Sequence, residues 1–338
     1  TMKAAILRAP RQLEIADIPT PRPNDYQALV RMEACGVCSG TYTHIYEGTM
    51  PFPIDYPSVF GHEGVGTVVE TGQRVRRYKL GDRVLRPCAI YPGQWANALG
   101  SSWGSYAEYG LVTDLDIWRE EQPNSGHAPY GYGNMQLVVP ANFDPIAAVL
   151  LITWKETYSA LICLGDPRGK NVAIVGDGAV GLSFCRWASA LGAASVAVIG
   201  HRDFRLERAR KLGATQILNT RHAKLPETRS FDLVVDTIGT SEMIQQMLPT
   251  LLDHGCIGVY GVGETFRVEF DRSAGPTRWS FVQINPDEAG CHAEVLSLLK
   301  AHPFRADDFV TSIKPLDQLP SALAHLRESN SIKAVIQF

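Results

Sequence analysis

The feature that most constrains the fold is a series of alternating strand-like and helix-like segments beginning near residue 145 and carrying a glycine signature. Asn171-Val172-Ala173-Ile174-Val175 is a short apolar run of the kind that forms a buried strand. Gly176-Asp177-Gly178-Ala179-Val180-Gly181 follows at once and matches G-x-G-x-x-G. A helix-like segment, Val180 to Leu191, comes next. In that setting Gly176 permits a tight turn, Gly178 lets the backbone approach a pyrophosphate, and Gly181 lets helix and strand pack closely. Free N–H groups and partial positive charge at the helix start suit phosphate. The series continues with strand Ser195 to Ile199, helix Phe204 to Leu212 and strands Ile217-Leu218 and Asp232 to Asp236. Helix Glu242 to Leu252 and strand Cys256 to Tyr260 complete it. The alternation predicts a parallel sheet covered on both faces, an α/β architecture.

The flanking regions read differently. Residues 1–145 are rich in short apolar runs broken by Pro19, Pro21, Pro23, Pro51, Pro53 and Pro57 and then by Gly61, Gly64, Gly66, Gly72 and Gly81. This texture predicts a sheet-rich barrel or sandwich. Ala147 to Leu164 has helical length. Beyond residue 286 we expect helix Glu288 to Ala301, a strand near Thr311, helix Leu316 to Arg327 and strand Lys333 to Gln337. The expected organisation is a β-rich domain over 1–145, an inserted α/β domain over 146–285, and a segment over 286–338 that completes the first. A stretch of about 24 residues before Leu137, with Trp118, His127, Tyr130 and Tyr132, reads as a long loop. Its aromatics Trp118, Tyr130 and Tyr132 suit stacking on a sugar or cyclic polyol, and the open alternatives are a cover for a cleft, a contact with another subunit, or a flexible surface excursion.

Length and composition narrow the classes. The 338 residues suggest two or three domains. Thirty-two basic and 35 acidic side chains leave a formal charge of −3, so no basic field for nucleic acid is expected. No apolar run is read as reaching the ~20 residues of a membrane span. Thr1-Met2 reads as a cloning remnant, and the segment from Lys3 to Arg11 has no signal-peptide character. Seven irregularly spaced cysteines argue against a disulfide framework and for a reducing, cytoplasmic setting. Cys35 and Cys38 form the one C-x-x-C, so no four-cysteine zinc site is expected.

Two constellations carry chemistry. An acidic residue about 20 positions past the glycine motif would grip the ribose 2′-OH of NAD and repel a 2′-phosphate. The chain has Gly200-His201-Arg202 there, and Arg pairs bidentately with phosphate, so NADP is the expected cofactor. The alternative is that Arg202 is a solvated helix-start residue and Asp203 grips the ribose. In the N-terminal region Cys38, His62 and Glu63 supply a thiolate, an imidazole and a carboxylate, which are suitable zinc ligands.

These features together resemble the zinc-dependent alcohol and polyol dehydrogenases of the medium-chain dehydrogenase/reductase superfamily. The resemblance covers nearly the whole chain. It runs through Gly36-Val37-Cys38, the stretch from Gly61-His62-Glu63-Gly64 to Gly72, Leu80-Gly81-Asp82-Arg83-Val84 and Gly104-Ser105-Tyr106-Ala107-Glu108-Tyr109. It continues in Gly176–Gly181, Lys211-Leu212-Gly213-Ala214 and Ile332-Lys333-Ala334-Val335-Ile336. It implies a GroES-like β-rich catalytic domain plus a Rossmann doubly wound parallel sheet. The implied reaction is reversible oxidation of a secondary alcohol, polyol or sugar to a carbonyl, with hydride transfer to the nicotinamide. By that resemblance Cys38 and His62 are zinc ligands, Glu63 is a ligand or alternating near-ligand, and Lys333 meets the cofactor phosphates. Gly176, Gly178, Val180, Gly181, Gly200, His201 and Arg202 form the expected NADP site. The implied partners are a small alcohol or carbonyl substrate and further copies of the chain, as a homodimer or homotetramer, through the sheet edge near Val259-Tyr260.

The chain departs from the family pattern. Ile152 stands where relatives usually offer a further metal ligand, and Glu156 lies one helical turn on. Gly40 replaces the usual proton-relay Ser or Thr and Thr41 the following Asp, leaving Thr41, Thr43 and His44 as relay candidates. Cys88 alone remains of the four structural-zinc cysteines, so one catalytic zinc and no structural zinc are expected. The alternatives are a zinc-free NADPH-dependent quinone or enone reductase and a non-catalytic NADPH-binding protein.

Overall fold

A computed structural model describes the chain apart from residues 51–52, 124–132, 227, 264–266, 327 and 329, and describes only the backbone of 41–43. The chain divides into two units. Unit 1 takes Thr1–Ile152, Ser312–Arg327 and Lys333–Phe338; unit 2 takes Thr153–Thr311 and Glu328–Ile332.

The first part of the chain forms β1 (Met2–Ala9), β2 (Gln12–Ile18), β3 (Gln27–Val37), α1 (Ser39–Glu47), β4 (Ser58–Phe60), β5 (Glu63–Thr71) and β6 (Arg83–Leu85). It continues with β7 (Gly100–Ser102), β8 (Tyr109–Thr113), α2 (Leu115–Glu121), β9 (Val138–Val139) and α3 (Pro145–Cys163). The remainder comprises β10 (Asn171–Val175), α4 (Ala179–Ala190), β11 (Ser195–Gly200), α5 (Asp203–Lys211), β12 (Gln216–Asn219) and β13 (Phe231–Asp236). Then come α6 (Ser241–Met247), β14 (Leu251–Val259), β15 (Trp279–Gln283), α7 (His292–Ala301), β16 (Val310–Pro315), α8 (Leu319–His325) and β17 (Lys333–Gln337).

Two sheets build unit 1. One has the order β2-β1-β4-β7; the other runs β16-β17-β3-β5-β6-β9, with β8 also paired to β3. Strand β3 is the spine, antiparallel to β5, β8 and β17. Between the sheets lies a core that includes Leu7, Val37, Phe60, Tyr106, Leu319 and Ile336. The last strand of the chain thus completes the sheet begun by the first forty residues. The stretch read as a long loop contains α2 instead. Asp114 caps that helix and also accepts from the backbone N–H of Arg76 and Arg77, each at 2.8 Å. Trp118 is buried in α2 and offers no free stacking face. His127, Tyr130 and Tyr132 lie outside the described residues.

In unit 2 the sheet order is β12-β11-β10-β13-β14-β15, with every pairing parallel. This is the doubly wound order in which the strand sequence reverses beside the first strand. Two departures from the sequence reading have clear causes. The helix expected to reach Leu252 stops at Met247, because Pro249 cannot continue it and a single 3₁₀ turn follows. Strand β15 was not expected; Trp279 and Phe281 alternate with the exposed Ser280, which is the pattern of a half-buried strand. Since Val259 pairs with Gln283, the sheet edge is β15 and not the Val259-Tyr260 segment.

Helix α3 bears on the membrane reading. It is long and apolar enough to cross a bilayer by composition, but 67% of its apolar window is buried inside the protein. Within unit 2 its second half meets α4. Trp187 is fully buried, donates from Nε1 to the Trp154 carbonyl at 2.8 Å, and lies edge-on to Tyr158 at 5.1 Å. We predict that Trp187→Ala destabilises unit 2 by about 3–5 kcal/mol, through lost burial and the cavity left behind. Urea unfolding followed by far-UV circular dichroism checks this; a loss below about 1 kcal/mol would contradict the packing described.

Candidate functional site

In unit 1 a candidate site is built where β3 and β5 run side by side. Strand β3 ends at Val37, and Cys38 becomes the first residue outside α1, in extended conformation. It therefore sits at the N-terminal end of a helix. Cys35, three residues earlier, faces the unit-1 core, and burial pushes its thiol well above the ordinary range. The C-x-x-C thus divides into one core cysteine and one half-buried cysteine beside His62 and Glu63.

His62 lies between β4 and β5, and Glu63 opens β5. The His62 carbonyl accepts from Arg86 Nη1 at 2.6 Å, and its ring lies 5.6 Å from that of Trp103. Donor atoms of Cys38, His62 and Glu63 all fall within 4.8 Å of one another. Sulfur, nitrogen and oxygen donors this close suit a single zinc ion, whose ligands stand about 2.0–2.3 Å away.

Glu63 is buried, and Lys333 Nζ, itself buried, lies 2.6 Å from its Oε2. Burial alone would raise the Glu63 carboxyl; the charges of Lys333, His62 and Arg86 outweigh it and hold the group below its ordinary value. Gly36 makes the pairing possible. In register it stands opposite Glu63 on one side and Val335 on the other. A Cβ on Gly36 would lie 2.0 Å from Glu63 Oε2 and 3.0 Å from Lys333 Cε. Lys333, expected at the cofactor phosphates, is thus brought to the carboxylate of the donor cluster.

Other members of the sequence reading fall as follows. Thr41 lies in α1, and its side chain is outside the described residues. His44 Nδ1 is 2.9 Å from Thr49 Oγ1. Ile152 is fully buried, and Glu156 Oε2 accepts from the Tyr260 hydroxyl at 3.1 Å. Cys88 is buried, with its thiol 3.5 Å from the Arg86 carbonyl.

In unit 2 the glycine motif joins β10 to α4. Gly176 has φ +114° and donates to the Ile199 carbonyl at 2.8 Å, turning the chain at the strand end. A Cβ on Gly181 would stand 2.0 Å from the Gly176 carbonyl oxygen. Gly178 caps α4 without a side-chain acceptor, so the first N–H groups of the helix remain for a ligand. Val180 lies in the first turn, half-buried. Gly200 ends β11, and His201 and Arg202 lead into α5. Burial lowers the His201 pKa, and Arg202, Arg221 and Arg205 add to that effect against Asp177, which favours the neutral ring near pH 7.

Three polar residues at these places escaped the sequence reading. Arg86 is buried beneath His62. Asp236 ends β13 and accepts from the backbone of Ile238 at 2.8 Å and of Gly239 at 3.1 Å. Asp177 accepts from the backbone of His201 at 2.8 Å and of Arg202 at 2.9 Å. The signal for Asp177 was available in the sequence: a lone acid inside the glycine motif, facing a strand end that lacks one.

Comparison with known proteins agrees with this architecture. Residues 24–119 match the alcohol dehydrogenase GroES-like domain and residues 179–274 the zinc-binding dehydrogenase domain. An alcohol dehydrogenase of Cupriavidus necator is 30% identical over 300 residues, covering 77% of this chain and 76% of that protein. A sorbitol dehydrogenase of Bacillus subtilis is 26% identical over 271 residues, covering 77% and 75%. The crystal structure of 2R,3R-butanediol dehydrogenase from Bacillus subtilis superposes with a TM-score of 0.80 at 22% identity over the whole of both chains, and so shares the fold. With a GroES-like sheet unit, a Rossmann-type parallel sheet and relatives of this kind, the chain belongs to the zinc-type alcohol and polyol dehydrogenases of the medium-chain dehydrogenase/reductase superfamily.

Proposed function

We propose that the protein is an NADP-dependent, zinc-assisted dehydrogenase that interconverts a secondary alcohol, polyol or sugar with its carbonyl form. The observation that carries this reading is the meeting of Cys38, His62 and Glu63 donor atoms within 4.8 Å. Zinc held there supplies a Lewis acid that polarises the substrate oxygen and lowers the alcohol's pKa. The chain's own groups prepare that position. The start of α1 places the Cys38 sulfur, Arg86 fixes the backbone at His62, and Lys333 keeps Glu63 ionised. Thr41, in the first turn of α1, is the proposed proton-relay hydroxyl in place of Gly40.

The cofactor proposal rests on unit 2. The free start of α4 suits a pyrophosphate, and Gly200-His201-Arg202 leaves no carboxylate side chain on the strand end to repel a 2′-phosphate. Asp203 is engaged by Asn219 Nδ2 at 2.6 Å, which argues against its gripping the ribose. The second reading is a zinc-free quinone or enone reductase, favoured by Ile152, a buried side chain with no donor atom where relatives offer a ligand. Association into a dimer or tetramer through the open edge β15 completes the proposal.

Three outcomes are expected. Purified protein carries about one zinc per chain by elemental analysis, and Cys38→Ala loses it together with more than about 100-fold of alcohol oxidation. Full activity without metal, with turnover of enones and none of alcohols, would instead favour the second reading. Steady-state kinetics should give a higher kcat/KM for NADP than for NAD. Arg202→Ala should lower the NADP value roughly 10–150-fold, which corresponds to about 1.5–3 kcal/mol for a charged hydrogen bond; an NAD preference in the parent protein would refute the assignment. Sedimentation should report about two or four times the 37.1 kDa chain mass, and a monomer at micromolar concentration would contradict the edge proposal.

A further inference from the structure

Asp177 occupies the first variable position of the glycine motif, where the nucleotide-binding logic asks nothing of the side chain. Its carboxylate nevertheless has an unusually complete environment. The residue is only 3% exposed. Oδ2 accepts from the backbone N–H of both His201 and Arg202. Oδ1 lies 3.4 Å from Arg205 Nη1 and 3.8 Å from Arg202 Nη1. Arg205 is buried as well and is anchored through Nε on the Ser331 carbonyl. Gly200 is shaped to this carboxylate: a Cβ there would stand 2.5 Å from both Asp177 Cβ and Asp177 Oδ2.

The acid that NAD-binding folds carry on the second strand is therefore not simply missing. A carboxylate reaches the same strand end from the first loop, but it is closed off from solvent and both of its oxygens face protein N–H groups. It cannot offer itself to a ribose hydroxyl. Its charge is matched by two guanidinium groups, so the local balance of Asp177, Arg202 and Arg205 is one net positive charge. Of these side chains, Arg202 is the more exposed, at 24% against 8% for Arg205.

We propose that Asp177 is a positioning residue for cofactor specificity: by tying the His201 and Arg202 backbone to the glycine loop it holds the Arg202 guanidinium where a 2′-phosphate would lie. The inference rests on the NADP reading above and adds to it the group that sets the loop. The two short backbone bonds carry more of this than the longer guanidinium contacts, so an acceptor at position 177 matters more than its charge.

Calorimetric binding of adenosine 2′,5′-bisphosphate and of 5′-AMP to the full chain tests this, with the ratio of the two affinities as readout. The parent protein should favour the bisphosphate by at least tenfold. Asp177→Ala should bring the ratio down at least tenfold, whereas Asp177→Asn, which keeps a carbonyl acceptor, should stay within threefold of the parent ratio. Gly200→Ala, whose added methyl displaces the carboxylate, should behave like the alanine variant and serves if Asp177→Ala does not fold. No preference in the parent would defeat the NADP reading itself. A parent preference that survives Asp177→Ala or Gly200→Ala, even with a lowered melting temperature, would overturn the positioning role alone. A ratio that rises on removing the carboxylate, or an asparagine variant as poor as the alanine one, would equally overturn it.

Discussion

The structure depends on one buried ion pair. Glu63 at the start of β5 and Lys333 at the start of β17 meet across the glycine at position 36 of β3, 2.6 Å apart. Two charges taken out of water are tolerable together and costly apart; removing one partner of such a pair typically costs about 3–5 kcal/mol. The pair joins β5, which begins at residue 63, to the last six residues and lies at the carboxylate of the Cys38–His62–Glu63 cluster. The sheet that receives β17 also receives the cation that keeps a buried carboxylate ionised.

The same device recurs in unit 2 with different residues. A buried carboxylate, Asp177, faces a glycine, Gly200, that makes room for it, and a buried cation, Arg205, offsets it. In each case the glycine is explained by the acid across from it and the acid by the cation beside it. Glu63 stands among metal-type donors, whereas Asp177 organises backbone N–H groups and a guanidinium. Neither carboxylate faces solvent, so the electrostatic character at each place is set by what the acid holds.

How much of this could be read from the chain follows from the range of the interactions. The parallel sheet was legible because its strands are continuous apolar runs whose turns carry their own glycine chemistry. The donor types at Cys38, His62 and Glu63 were legible from their chemistry and from the resemblance they carry. The helix at Leu115–Glu121 was not, since its apolar residues lie in a short stretch dominated by turn formers, and its start depends on Asp114 being fixed by Arg76 and Arg77. Strand β15 was hidden by its length and half-burial. The long-range pairings were the least legible. Nothing local to Lys333 announces Glu63, because the two meet only after β17 has found β3. The role of Asp177 is hidden for a related reason: the glycine motif leaves its position free.

On the proposed function, Cys38, His62 and Glu63 hold one zinc through a mixed sulfur, nitrogen and oxygen donor set. Zinc K-edge X-ray absorption on the purified protein tests it most directly. A zinc held there would show one sulfur at about 2.3 Å and the remaining ligands, nitrogen or oxygen, at about 2.0–2.2 Å. A shell of several sulfurs, a shell without sulfur, or protein that retains no zinc after purification would contradict it.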